Sequence, residues 1–114
     1  MDDGELGDGW YHVNPAIDRV ITNTAARVEK LQSNALQTTF RVAQQLALPA
    51  EICDGKRSGQ LVPYEIVHTL TLSKGERQLR VKTEIDNNVR DHRLRIKLPT
   101  GIGGKEYYAS QRCV

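Results

Sequence analysis

Leu79-Arg-Val-Lys-Thr-Glu-Ile-Asp-Asn-Asn-Val-Arg-Asp-His-Arg-Leu-Arg-Ile-Lys-Leu-Pro-Thr-Gly101 decides the fold class. Leu79, Val81, Thr83 and Ile85 alternate with Arg80, Lys82, Glu84 and Asp86; further on, Leu94, Ile96 and Leu98 alternate with Arg93, Arg95 and Lys97. Period-two alternation is what a half-buried strand requires, because successive side chains leave on opposite faces. Asp86-Asn87-Asn88 supplies side chains that bond their own backbone and tolerate the left-handed region, so it reads as a turn. Pro99 has no amide hydrogen for a ladder and closes the second run. The expectation is a hairpin with long arms.

Working back toward the N-terminus, Ile66, His68, Leu70 and Leu72 alternate with Val67, Thr69 and Thr71, and Ser73-Lys74-Gly75-Glu76 joins this strand to Leu79. Gly75 suits the positive φ such a connection needs. Three successive antiparallel strands between Glu65 and Leu98, a meander, are expected. Leu36, Phe40, Val42, Leu46 and Leu48 all fall on even positions around the β-forming Thr38-Thr39, a fuller match to a strand than to a helix, and Pro49 stops it. Ser33-Asn34 reads as a turn, and the stretch from Asp18 to Glu29 as part of two short strands joined at Asn23. Ile52–Gly59, with Asp54-Gly55 and Ser58-Gly59, reads as a solvated basic surface loop around Lys56-Arg57. Met1–Pro15 reads as a loop. The residues alone give an all-β, antiparallel chain of about six strands.

Composition narrows the function classes. The 114 residues are 39% hydrophobic and only 5% aromatic, which limits any core to a thin aliphatic one. Sixteen basic and fourteen acidic residues nearly cancel, to a net charge of +2, an argument against a dedicated nucleic-acid surface. The basic strip Arg90, Arg93, Arg95 and Lys97 has no interleaved aromatics for base stacking. No apolar run approaches the roughly 20 residues needed to cross a bilayer. Cys53 and Cys113 keep no metal or redox spacing and are expected to be free thiols in a reducing cytoplasm.

Candidate chemistry is sparse. His12, His68 and His92 share no ligand spacing, and Asp2, Asp3, Glu5 and Asp8 do not keep the alternation of a calcium loop. Ser33, Ser58, Ser73 and Ser110 have no base beside them. Asp91-His92-Arg93 looks catalytic, but consecutive residues at a strand start alternate faces and do not converge on one substrate atom. Asp91 is expected to accept from turn amides or an arginine and so fix the hairpin. Trp10 and Tyr11 are adjacent, and in an extended segment they point opposite ways, one to pack and one to face a cleft. From composition alone, Tyr11 packs.

Ile85-Asp86-Asn87-Asn88, Asp91-His92-Arg93-Leu94-Arg95 and Leu98-Pro99-Thr100-Gly101 together resemble the signature segment in the C-terminal β-domain of glycoside hydrolase family 38 α-mannosidases, bacterial mannosylglycerate hydrolases among them. Asp8-Gly9-Trp10-Tyr11…Pro15 resembles the entry to that domain, and Arg57-Ser58…Leu61-Val62-Pro63 its centre. The resemblance implies a fragment of the large galactose mutarotase-like β-sandwich, spanning residues 1–114, which buttresses a catalytic α/β barrel. It implies that the nucleophilic aspartate and a divalent metal, zinc, belong to that barrel and not to this chain. It also implies that Tyr11, four residues before Pro15, reaches the α-mannoside. Asp86, Asn87, Asp91, His92 and Arg93 become the structural motif. The alternative class is a stand-alone carbohydrate-binding or interaction module using Trp10 and Tyr11. Self-association is expected through exposed sheet edges, at the C-terminal strand or the Leu36–Leu48 strand. No nucleic acid and no membrane are expected as partners.

Overall fold

The computed structural model describes residues 1–8, 10–22, 25–99 and 101–103, and every described regular element is a strand. The strands are β1 (Asp2–Gly4), β2 (Ala26–Ser33), β3 (Gln37–Pro49), β4 (Ile52–Cys53), β5 (Lys56–Arg57), β6 (Leu61–Ser73), β7 (Arg80–Ile85) and β8 (His92–Leu94). Four of them form an antiparallel sheet in the order β2-β3-β6-β7; β1 pairs with β8, and β4 with β5.

Turn chemistry sets the connections. Asn34 Oδ1 accepts from the Leu36 and Gln37 amides, 2.9 Å each, and turns β2 into β3. Asp54 and Gly55 both take positive φ, 50° and 71°, in the two-residue link that right-handed strand twist favours for a hairpin. Ile52–Gly59 is therefore a β4–β5 hairpin with an inward arginine, where the sequence read as a solvated loop.

Register places one set of side chains on a common face. Val28, Val42, His68 and Thr83 lie side by side, as do Lys30, Phe40, Leu70 and Val81, and Ala26, Gln44, Ile66 and Ile85. Leu46 faces Tyr64, and Leu48 faces Val62. The opposite face carries Arg27, Glu29, Arg41, Glu65, Lys82 and Glu84. Among the described residues the apolar face is closely covered at one end. There Leu46, Leu48, Tyr64, Ile66 and Val89 are buried, with Ile21, Val62 and Leu94 against them. At the other end Val28, Leu79 and Val81 remain more than half exposed. An apolar cleft of about 480 Å³ runs there between the sheet and Ile96 and Leu98.

The long-armed hairpin and the three-strand meander do not form as expected. β6 and β7 pair from Ile66↔Ile85 to Thr71↔Arg80, but the chain then leaves the sheet, and β8 pairs with β1: Asp2↔Leu94, Asp3↔Arg93, Gly4↔His92. Leu94, Ile96 and Leu98 cross over the sheet's apolar face instead of extending it. The cause is Val89. A six-residue link from Asp86 to Asp91 buries that side chain in the core, and Asp91 takes φ 51°, so the chain passes into a second layer. Period two marks a strand without naming its partner.

Three further expectations change. Met1–Pro15 contains β1, whose three residues are all buried. Leu36–Leu48 is an interior strand, so its edge is unavailable for pairing with another copy; the outer strands are β2 and β7. Val20 and Ile21 contribute an isolated bridge, Ile21 to Asp2, in place of a strand. Asn23, the C-terminal strand and Cys113 lie outside the described residues.

Leu48 is fully buried and Leu72 about half exposed. Leu48→Ala should cost about 2–5 kcal/mol in denaturant unfolding, and Leu72→Ala less than about 1.5 kcal/mol, because only the first leaves a cavity.

Candidate functional site

Two clusters of polar side chains meet at the covered end of the sheet. The first is buried and centres on Asp2. Its Oδ2 accepts from Arg57 Nη1 at 2.6 Å, and its Oδ1 lies 2.6 Å from His92 Nδ1, with the Asp2 and Arg57 side chains almost wholly removed from solvent. Arg57 also donates to the Arg19 carbonyl at 3.2 Å. His92 Nε2 lies 3.0 Å from Asn87 Oδ1, which accepts from the Val89 amide and receives the Tyr64 hydroxyl at 3.5 Å. The Tyr64 and His92 rings meet edge to face, centroids 5.8 Å apart. Burial pushes the Tyr64 phenol up, and the charges of Asp2 and Asp86 add to the effect.

Asp3 repeats the arrangement on the next residue. It accepts from Arg93 through Nε at 3.3 Å and Nη2 at 2.9 Å, and pairs with Arg95 Nη2. The Arg93 hydrogen bond holds its carboxyl below the usual range, against the burial that raises it. Asp91 does not cap its own hairpin. Its Oδ2 accepts from the Ile52 amide at 3.2 Å and its carbonyl from the Glu5 amide at 2.9 Å, joining β4 and the N-terminal segment to β8. Asp86 is exposed at the end of β7, and Asn88 Nδ2 donates to the Pro63 carbonyl at 3.1 Å. Asn87, Asp91, His92 and Arg93 thus sit around one junction of β1, β4–β5, β6 and β8, while Asp86 stands outside it. Sequence reading missed Asp2, Asp3 and Arg57. Their signal was complementary charge, an acidic pair against a basic strip, in segments more than fifty residues apart.

The second cluster is the exposed loop from Glu5 to Asn14. Trp10 is 89% and Tyr11 75% exposed, so neither packs. Asp8 Oδ1 accepts from both of their amides, at 2.8 and 3.0 Å, which bends the chain where an extended segment was expected. Those two bonds hold the Asp8 carboxyl below its usual range. Glu5 Oε1 accepts from the Gly7 amide at 2.8 Å and the Val13 amide at 2.9 Å; its Oε2 pairs with His12 Nδ1, whose Nε2 lies 2.8 Å from Asn14 Oδ1. The Val13 amide, then His12 and the Gly7 amide, lower the Glu5 carboxyl to about 2. Pro15 is buried against Gly4, where an added Cβ would lie 2.7 Å from its ring. Gly9 lies outside the described residues.

Among the described residues, no three His, Cys, Asp or Glu side chains gather as a metal site would, and no helix is long and apolar enough to cross a membrane. Cys53 is exposed, its thiol pushed up by desolvation and by the charge of Glu51, a poor setting for a nucleophile.

No protein-family model and no curated protein matches the chain. Solved structures do. A glycosyl hydrolase family 38 protein from Enterococcus faecalis superimposes with a TM-score of 0.74 and 24% identity, over 80% of this chain and 13% of that one. An α-mannosidase from the same organism gives a TM-score of 0.82 and 27% identity, over 89% of this chain and 14% of that one. The chain has the antiparallel β-fold of a segment of glycoside hydrolase family 38 α-mannosidases, in agreement with the sequence resemblance. It spans about a seventh of those chains' length.

Two outcomes follow from this geometry. Asp2→Ala strands Arg57 and His92 beside a void and should destabilise by about 3–5 kcal/mol in denaturant unfolding, whereas removing the exposed Lys82–Glu84 pair should cost less than about 1 kcal/mol. The Glu5 carboxyl ionises more readily in the folded loop than its ordinary value of 4.5 allows, so its contribution is complete above pH 4.5 and is lost as pH falls toward 2. Trp10 is the only tryptophan. Its fluorescence should therefore report the loop opening in that window.

Proposed function

We propose that these residues are a non-catalytic β-domain segment of an α-mannosidase-like glycoside hydrolase, which backs the catalytic barrel and lends Tyr11 to the bound mannoside. The observation that carries this reading is the match over 89% of the chain to a segment of an α-mannosidase. The site supports it. Glycoside hydrolysis needs two carboxylates facing a common bond, about 5–10 Å apart. Here Asp2, Asp3, Glu5 and Asp8 each accept from structural donors: Arg57, Arg93, the Val13 amide and the Trp10 amide. On this reading the nucleophilic aspartate and a divalent metal, zinc by the family resemblance, sit in a barrel outside this sequence. The enzyme would work in the cytoplasm.

Tyr11 offers the site's chemistry. A phenol supplies a flat apolar face for a pyranose and one hydroxyl that can donate to a sugar oxygen. In the enzyme carrying this segment, Tyr11→Phe should lower kcat/KM about five-fold, the worth of one neutral hydrogen bond near 1 kcal/mol, with the melting temperature unchanged. Unchanged kinetics with lost thermal stability would make Tyr11 a packing residue instead.

The exposure of Trp10 beside Tyr11 favours a second reading, a stand-alone carbohydrate-binding module. Calorimetric titration with mannose and mannosylglycerate separates the two. A supporting segment shows no binding by itself, while a module does. Self-association, on either reading, would use the outer strands β2 or β7, and a clean monomer by light scattering at high concentration counts against it.

A further inference from the structure

The loop that exposes two aromatic side chains is closed more tightly than its exposure suggests. At its root, Pro15 packs on Gly4 and the Glu5 amide donates to the Asp91 carbonyl. One rung up, the Leu6 amide donates to the Val13 carbonyl at 2.9 Å. At the neck, a Cβ on Gly7 would stand 1.7 Å from the Tyr11 carbonyl oxygen, so the two limbs touch backbone to backbone and only glycine fits.

One side chain links these levels. The Glu5 carboxylate receives the Gly7 amide from the outgoing limb, and the Val13 amide and His12 ring from the returning limb. Apolar burial does not hold this loop, since Trp10 and Tyr11 face water and Leu6 and Val13 are about half exposed. Charge-assisted hydrogen bonds to one carboxylate do that work, and they are roughly twice as strong as neutral ones. A loop fixed in this manner has already lost the backbone freedom that a flexible one would surrender on meeting a ligand.

We infer that Glu5 is the positioning residue for Tyr11, fixing the loop so that the phenol is presented in one orientation before the sugar arrives. The inference rests on the sugar-contact reading of Tyr11 and goes beyond it by assigning a role to a residue that touches no substrate.

The first test uses the chain itself and amide hydrogen exchange. Glu5→Ala should speed exchange at Gly7 and Val13 on the order of ten-fold, as loss of one or two hydrogen bonds gives, while Leu46 and Tyr64 in the sheet keep their protection. Glu5→Gln retains a neutral acceptor and should recover part of that protection. Gly7→Ala keeps the carboxylate in the chain but forces the neck apart, since the added Cβ would meet the Tyr11 carbonyl oxygen at 1.7 Å and Glu5 Oε1 at 2.9 Å; it should loosen Trp10 and Tyr11 equally, which covers the case of a poorly folded Glu5→Ala. Unchanged exchange in both variants overturns the inference.

The second test is a double-mutant cycle in the enzyme carrying the segment. Glu5→Ala should lower kcat/KM at least as much as Tyr11→Phe, and should add little in the Tyr11→Phe background. If Tyr11→Phe is silent, the sugar-contact reading fails and takes the inference with it. If Tyr11→Phe matters while Glu5→Ala loosens the loop and leaves kcat/KM unchanged, only the positioning role fails.

Discussion

The Asp2 side chain is wholly buried, and three separate stretches of chain are arranged around its carboxylate. Its carboxylate faces Arg57 from the β4–β5 hairpin and His92 from β8, both at 2.6 Å, while its backbone bridges Ile21. A buried ion pair is weak evidence for stability in itself, because desolvation offsets most of the attraction. Its effect is on specificity. Any register of β1 against β8 other than the observed one would leave a guanidinium or a carboxylate buried without a partner, so the polar core selects one way of closing the N-terminus over the sheet. Among the described residues Arg57 Nη2 finds no hydrogen-bond partner, a desolvation cost that the observed arrangement still carries.

The aromatic loop inherits its place from this junction. Gly4 ends β1 with its amide donating to Asp18 Oδ1, Pro15 seals against Gly4, and Asp91 holds Glu5 from below. A mount and a tip are therefore built from the same few residues. The mount is buried and held by paired charges. The tip is solvated and held by one carboxylate and its amide partners. This division is what the proposed supporting role would ask of the segment.

Much of the architecture was legible because it is local. Three of the sheet strands follow from alternation at Leu36–Leu48, Ile66–Leu72 and Leu79–Ile85, with Asn34 marking the turn into β3 and Gly75 the turn from β6 to β7. What period two cannot say is whether Leu94, Ile96 and Leu98 extend the sheet or cover it, since both uses ask for the same alternation. Val89 decided the matter, one buried apolar residue directly after the Asp86-Asn87-Asn88 turn. Asp2 and Asp3 were illegible for another reason. An acidic start to a chain looks solvated until its partners, some ninety residues away, are known. Trp10 and Tyr11 were visible as candidates, but not the capping by Asp8 that turns both outward.

The long reach of the β1–β8 pairing has a kinetic consequence. β6 and β7 are joined by a short turn, as are β2 and β3, so their contacts close small loops. The β1–β8 ladder closes almost the whole chain, at a larger entropic cost. The sheet should therefore assemble first, with β1 added late as a latch over it. Weakening the latch would then leave the folding rate nearly untouched and speed the reverse step. Opening would begin at the β1–β8 ladder, and the aromatic tip would lose its mount before the sheet lost its strands.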